Sequence, residues 1–258
     1  MRRVTLGNTG LQVSRLGIGT DVLRDQMPDP IERETEVLLA AWGLGINLID
    51  TDRWYRTYPA IAKALPQMVR EDLVLITKTY EKTAEGALND VCYALETMQC
   101  DYIDVFLLHA IDSEEQYRSV AGALEGLQTA LQRGWIRHIG LSTHAVPMAQ
   151  QASQYAEIEV VLAALNVAGK SMHKTGTREE MEQALRRCRA AGQGVYIMKP
   201  FARGRLIDDE NKDEQLQPEQ VEPALAYLYA QPYVDAVIPG MRTVQQVSQC
   251  AEIVERIS

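Results

Sequence analysis

The sequence predicts one (β/α)8 barrel, a TIM-type α/β fold, over residues 1–258, with an N-terminal β-hairpin closing its lower mouth. Three observations lead there: eight short runs rich in Val, Ile and Leu, eight segments of helical periodicity, and a spacing of about 20 to 40 residues between successive runs. The runs are nearly continuous in apolar residues rather than alternating, as expected of parallel strands covered on both faces.

Taken in order, RVTLGNTGLQVS reads as a hairpin turning at Gly7-Asn8-Thr9-Gly10. RLGIG at 15–19 begins the barrel and is followed by a helix over 31–44. INLID at 46–50 precedes a helix over 59–69, and LVLITK at 73–78 precedes one over 84–98. IDVFLLH at 103–109 leads to a helix over 114–133, where Ser113 can cap a first turn that carries two glutamates. IRHIGLS at 136–142 pairs with a helix over 147–155, and EVVLAAL at 159–165 with one over 178–191 capped by Thr177. GVYIMK at 194–199 with a helix over 218–230, and AVIPG at 236–240 with one over 243–256, complete the eight units. The polar stretch DDENKDEQLQPEQ at 208–220 reads as an exposed loop and carries no linker signature that would divide the chain.

The 35 acidic against 26 basic residues give a formal charge of −9, which disfavours nucleic acid or an anionic membrane as the main partner and favours a small molecule. The opening MRRVTLGNTGLQV has no apolar stretch or cleavage site of a secretory signal, and no run approaches the roughly 18 apolar residues of a membrane span, so a cytoplasmic location is expected. Cys92, Cys100, Cys188 and Cys250 show no metal-ligand spacing; they are read as reduced packing residues, and no metal site is expected.

In such a barrel the chemistry sits where strands end and βα loops begin. Asp50 ends INLID, Tyr55 follows in the next loop, Lys78 ends LVLITK and His109 ends DVFLLH, which places four different ionisable groups on three neighbouring strands. Singly, each is a common cap, solvated charge or core residue; together they are hard to explain by packing. A buried lysine needs a counter-ion, and Asp50 supplies one. Hydride reduction of a carbonyl leaves an alkoxide that must be protonated, and a phenol of pKa about 10 is a weak donor at neutral pH. The expectation is that Lys78, held by Asp50, lowers the Tyr55 pKa while His109 hydrogen-bonds the substrate oxygen or relays a proton.

At these residues the sequence resembles the aldo-keto reductase family. The family's strand-two motif, of the form D-T-A-x-x-Y-G, stands here as DTDRWYR from Asp50 to Arg56, with the family lysine at Lys78 and the histidine at His109. The likeness runs from LGNTGLQVSRLGIGT through IRHIGLSTH and GVYIMKPFARGRL to VDAVIPGMRTVQQV. It implies a nicotinamide-dependent reductase of small carbonyl substrates without a Rossmann domain, its cofactor lying across the top of the barrel. Gly19 and Thr20 correspond to a first-strand cofactor contact, and Ser142, with Thr143 after it, to the carboxamide site. Met198 stands where a tyrosine often stacks on the nicotinamide. The KPFARG segment, including Pro200, Phe201, Arg203 and Gly204, corresponds to the loop over the pyrophosphate. Gly240, Met241, Arg242 and Gln246 fall where the family binds the adenosine ribose and its 2′-phosphate, and a guanidinium at Arg242 favours NADP(H) over NAD(H).

The departures concern the cofactor. Thr143 replaces a frequent asparagine, Leu162 a frequent glutamine, Gln246 a frequent arginine, and Gln249-Cys250 a frequent Glu-Asn. The IMKP and IPGMR wording is most similar to a branch often fused to a C-terminal ferredoxin-like domain, here without that domain or a cysteine cluster for iron. Trp54, Tyr80, Tyr58 and Arg56 are candidate pocket residues, whereas Trp42 reads as core. Two other readings remain open: a non-catalytic nucleotide- or partner-binding protein on the same barrel, and an aldolase forming a Schiff base at Lys78 or Lys199.

Overall fold

The structure, a computed structural model, describes residues 1–23, 30–173, 175–207 and 216–258. Residues 208–215 of the polar loop expected at 208–220 lie outside the described residues.

Eight parallel strands run in chain order around a barrel: β3 (Ile18–Gly19), β4 (Leu48–Asp50), β5 (Val74–Thr79), β6 (Ile103–Leu108), β7 (Ile136–Thr143), β8 (Val160–Ala164), β9 (Gly194–Met198) and β10 (Ala236–Ile238). Parallel bridges Leu16↔Val237 and Gly19↔Gly240 bring the last strand back to the first and close the ring. The helices on the outside are α1 (Pro30–Gly43), α2 (Tyr58–Ala64), α3 (Ala84–Met98), α4 (Glu114–Ser119), α5 (Ala121–Gln132), α6 (Val146–Ala152), α7 (Arg178–Ala190), α8 (Pro218–Tyr229) and α9 (Val244–Ile257). The helix expected over 114–133 is two, broken at Val120, whose φ of −106° and ψ of 17° leave the helical region. The helix expected over 59–69 ends at Ala64 and tightens into a 3-10 turn, Leu65–Gln67, at Pro66, which has no N–H to continue the α ladder. Ser113 and Thr177 cap as expected, Thr177 in a reciprocal capping box with Glu180.

The hairpin pairs β1 (Arg3–Thr5) with β2 (Gln12–Ser14) and plugs the N-terminal end of the barrel. Leu6 and Val13 enter the interior beside Val74, Val160 and Ala236. Its turn is fastened by Gly7, whose N–H donates to Asp235 Oδ2 at 3.1 Å. At φ +55° this position also leaves no room for a side chain, since a Cβ there would sit 2.2 Å from the Gly194 nitrogen.

Two buried layers result. One lies between sheet and helices; the other fills the barrel with Leu48, Ile76, Leu107, Leu162, Tyr196 and Ile238 among others. Strand periodicity then fixes the upper mouth, because a residue two positions past an interior side chain points inward again, one step higher. Asp50 follows Leu48 in this way, Lys78 follows Ile76, His109 follows Leu107, and Gly240 follows Ile238.

Candidate active site

The upper mouth opens into a cleft of about 850 Å³ lined by Asp50, Trp54, Tyr55, Lys78, Tyr80 and His109 on one side and by the β9 and β10 loops on the other. Its volume is that of a site for a cofactor and a small ligand.

At its floor the Lys78 ammonium donates to Asp50 Oδ1 and to the Thr51 carbonyl, both at 2.7 Å. Asp50 Oδ2 accepts from the Tyr196 hydroxyl at 2.8 Å. Both members of the ion pair are almost wholly buried, so each charge depends on the other. Tyr196 comes from the barrel interior and was read in the sequence only as part of an apolar strand.

Tyr55 ends a 3-10 turn, Arg53–Tyr55, whose N-cap is Asp52, accepting from the Trp54 N–H at 2.7 Å. The turn swings Tyr55 over the floor, with Lys78 Nζ 5.1 Å from its ring centroid and the His109 ring edge-on at 6.3 Å. Burial, reinforced by the carboxylates of Asp50, Asp21 and Asp52, pushes the Tyr55 phenol well above its ordinary value. This corrects the expectation that Lys78 lowers it: the ammonium spends protons on Asp50 and Thr51, and desolvation dominates. Tyr55 is therefore a neutral phenol.

His109 Nδ1 donates to Asp52 Oδ2 at 2.7 Å, while Tyr80 stacks on its ring at 4.0 Å with its hydroxyl 3.2 Å from Nε2. Burial holds the His109 pKa below its ordinary value, against the opposing pull of Asp52. Asp52 is fully buried and escaped the sequence reading, although it stands within the strand-two motif where the family pattern has alanine.

Of the residues expected at the cofactor, Gly19, Met198, Pro200, Phe201, Arg203 and Gly204 line the cleft, as do Gly240, Arg242 and Gln246. Thr20, Ser142, Thr143 and Met241 lie behind its wall. Thr20 shares a buried hydroxyl cluster with Thr51 and Thr57, and Ser142 Oγ accepts from the Ala110 N–H at 2.8 Å. Thr143 Oγ1 accepts from the Ala145 N–H and donates to Asp112, and Met241 is part of the core. Leu162 also faces the cleft. Trp54 and Tyr80 are exposed at the rim, Trp42 packs against the core, and Tyr58 is buried with its hydroxyl on Thr77.

The segment after β9 fits a polyanion. Lys199, Ala202, Arg203 and Gly204 have φ of 60°, 52°, 61° and 84°, left-handed backbone on both sides of Pro200-Phe201 that turns the loop tightly, with the Ala202 N–H donating back to the Lys199 carbonyl at 2.9 Å. Lys199, Arg203 and Arg242 bring cationic side chains to the same wall. Burial, then Arg203, lowers the Lys199 pKa to about 8, and its Nζ contacts His144 Nε2. Among the described residues Asp112, His144 and His173 form one group with donor atoms within 4.8 Å of one another. Its surroundings oppose a cation, because Lys199 abuts His144 and the two imidazoles are stacked at 4.5 Å rather than converging on a point.

The model of the aldo/keto reductase family matches residues 15–224. The chain belongs to the aldo-keto reductase family. It thereby joins the NAD(P)H-dependent oxidoreductases. Among curated relatives it is 24% identical over 240 residues to the NADH-specific methylglyoxal reductase of Escherichia coli (strain K12), covering 83% of this chain and 71% of that protein. It is 26% identical over 276 residues to the L-galactose dehydrogenase of Arabidopsis thaliana, covering 95% of this chain and 85% of that protein. In fold it superposes on an aldo-keto reductase of Bacillus halodurans with a TM-score of 0.82 at 22% identity, covering 99% of this chain and 91% of the other.

Proposed function

We propose that this aldo-keto reductase interconverts a small aldehyde or ketone and its alcohol, with Tyr55 delivering the proton and His109 facing the substrate oxygen. The observation that carries the reading is the set of buried Asp50, Lys78 and His109 with the half-buried Tyr55 above them, lining one cleft. A nicotinamide, when bound, supplies hydride to the carbonyl carbon. Tyr55, held protonated by burial, gives its proton to the oxygen that becomes alkoxide, and the nearby Lys78 ammonium stabilises the phenolate left behind. Asp50 and Thr51 hold that ammonium in place. Lys78 is thereby engaged and enclosed, which argues against its use as a Schiff-base nucleophile.

Arg203, Lys199 and the curled loop after β9 are suited to the pyrophosphate, and Arg242 to a 2′-phosphate, so NADP(H) is favoured over NAD(H). Leu162 and Met198 offer an apolar face to the nicotinamide in place of the amide and phenol common in the family. The acidic surface favours a small-molecule partner over nucleic acid, no helix among the described residues is long and apolar enough to cross a membrane, and the reduced cysteines fit a cytoplasmic enzyme acting as one barrel domain. The test is a panel of aldehydes and ketones assayed with NADPH and NADH, with nucleotide binding followed in parallel by tryptophan quenching. Turnover of at least one carbonyl is expected; nucleotide binding with no turnover would favour a non-catalytic binding protein instead.

A further inference from the structure

We propose that the substrate carries a cation: the aromatic rim of Trp54 and Tyr80, set over a floor of net negative charge, selects an aldehyde or ketone bearing an ammonium group and disfavours one bearing a carboxylate. The inference rests on the reading of the cleft as a carbonyl site and names the class of carbonyl.

The charges of the cleft are divided between its two sides. Among the described residues its lysines and arginines are Lys78, Lys199, Arg203 and Arg242. The last three belong to the β9 and β10 side, where the reading above places the nucleotide phosphates. Lys78 alone stands on the substrate side, and its ammonium is committed to Asp50 and the Thr51 carbonyl, both at 2.7 Å. A second carboxylate lies close by. Asp52 accepts from His109 Nδ1 and from the Trp54 N–H, each at 2.7 Å, and burial keeps the imidazole neutral, so these hydrogen bonds leave the Asp52 charge in place. The Lys78–Asp50 pair sums to zero, and Asp52 therefore sets the sign of the floor. Because Asp52 is fully buried, its field is weakly screened. Asp21, which lines the same cleft, is a further carboxylate whose charge acts on Tyr55 and Tyr80.

The rim suits a cation for a separate reason. Tyr80 stacks on the His109 ring at 4.0 Å, Tyr55 stands edge-on to that ring at 6.3 Å, and Trp54 precedes Tyr55 in the same 3-10 turn. Trp42 and Trp135 are partly buried, whereas Trp54 is 65% and Tyr80 51% exposed, and both line the cleft. Two large aromatic side chains held in water at one mouth mark a surface that a ligand covers. An apolar group would cover them, but the negative floor beneath adds a preference for positive charge, and the ring faces attract a cation as well, indole most strongly. A carboxylate meets repulsion from the floor and gains nothing from the rings.

Three benzaldehydes that differ only in the para substituent test this: trimethylammoniomethyl, its neutral isostere neopentyl, and carboxymethyl. A methylene separates each charge from the ring that bears the carbonyl. In the wild type kcat/KM for the cation is expected to exceed that for the neutral isostere by about threefold or more and that for the carboxylate by about tenfold or more. Trp54→Leu should shrink the cation's advantage over its isostere, and Asp52→Asn should lower the cation-to-carboxylate ratio by about tenfold; ratios within one preparation cancel both intrinsic reactivity and any loss of folded protein. A carboxylate used as well as the cation, or an unchanged ratio in either variant, would overturn the proposal while leaving the reductase reading intact. If Asp52→Asn does not fold, the wild-type ratios and Trp54→Leu decide. If none of the three is turned over, benzyltrimethylammonium and phenylacetate are titrated into the protein with NADPH present, following tryptophan quenching. Binding of the cation about tenfold tighter than the anion would then keep the cation site and strike the reductase reading, and equal binding would overturn the cation site.

Discussion

Replacing Lys78 by methionine tests the floor of the site. Lys78→Met keeps much of the aliphatic stem but removes the ammonium that holds Asp50 Oδ1 and the Thr51 carbonyl, leaving the buried Asp50 carboxylate with only the Tyr196 hydroxyl among the contacts described above. Removing one partner of a buried ion pair costs about 3–5 kcal/mol, because the remaining charge stays out of water without compensation. For a chain of this size each kcal/mol moves Tm by roughly 2–4 °C, so a loss of roughly 6–20 °C is expected. Asp50→Asn alone should cost a similar amount by stranding the ammonium. The double variant Lys78→Met/Asp50→Asn removes both charges and should be less destabilised than the sum of the single variants by about 2–3 kcal/mol. Urea unfolding at neutral pH of the wild type, both single variants and the double variant completes the cycle. Additivity within about 0.5 kcal/mol, or a Lys78→Met cost below about 1 kcal/mol, would refute a mutually dependent buried pair.

Other expectations follow from the charged groups around the cleft. Lys199 loses its proton near 8, so NADPH affinity should weaken as pH rises above that value, and Lys199→Met should bind more weakly with this pH dependence flattened; an unchanged pH response would remove Lys199 from the phosphate wall. Arg242→Ala should weaken NADPH by about tenfold or more while sparing NADH, as the loss of a charged hydrogen bond implies, and equal weakening of both would deny it the 2′-phosphate. Buried Glu34 in α1 keeps its proton up to about 7 against an ordinary 4.5, so the folded chain binds more protons than the unfolded one between those values. Its contribution to stability therefore falls as pH rises through that window. Thermal melts should show Glu34→Gln gaining on the wild type from pH 4 to pH 8, and a gap that does not vary with pH would contradict the assignment.

The barrel was legible because its strands are buried on both faces and so appear as apolar runs, and because the helices start at real caps such as Ser113 and Thr177. Asp50, Lys78 and His109 were legible as polar residues ending such runs. What the chain order hides is closure across the ring. Tyr196 reads as one more strand aromatic, yet its hydroxyl meets Asp50, 146 positions away. Asp52 meets His109 across 57 positions, and nothing local distinguishes a carboxylate that caps a turn from one that also holds an imidazole. The direction of the Tyr55 shift was misjudged for a related reason: nearness of a lysine could be inferred, but not that its protons are already committed or how deeply the phenol is enclosed. Thr20 and Ser142 occupy the expected strand ends, but their hydroxyls are taken by neighbouring loops.

The most direct test of the proton-delivery assignment is steady-state reduction of a turned-over carbonyl by Tyr55→Phe, with nucleotide affinity measured on the same preparation. If Tyr55 delivers the proton, kcat falls by about 10²–10⁴-fold while nucleotide binding is essentially unchanged. Near-normal kcat in the phenylalanine variant would contradict the account.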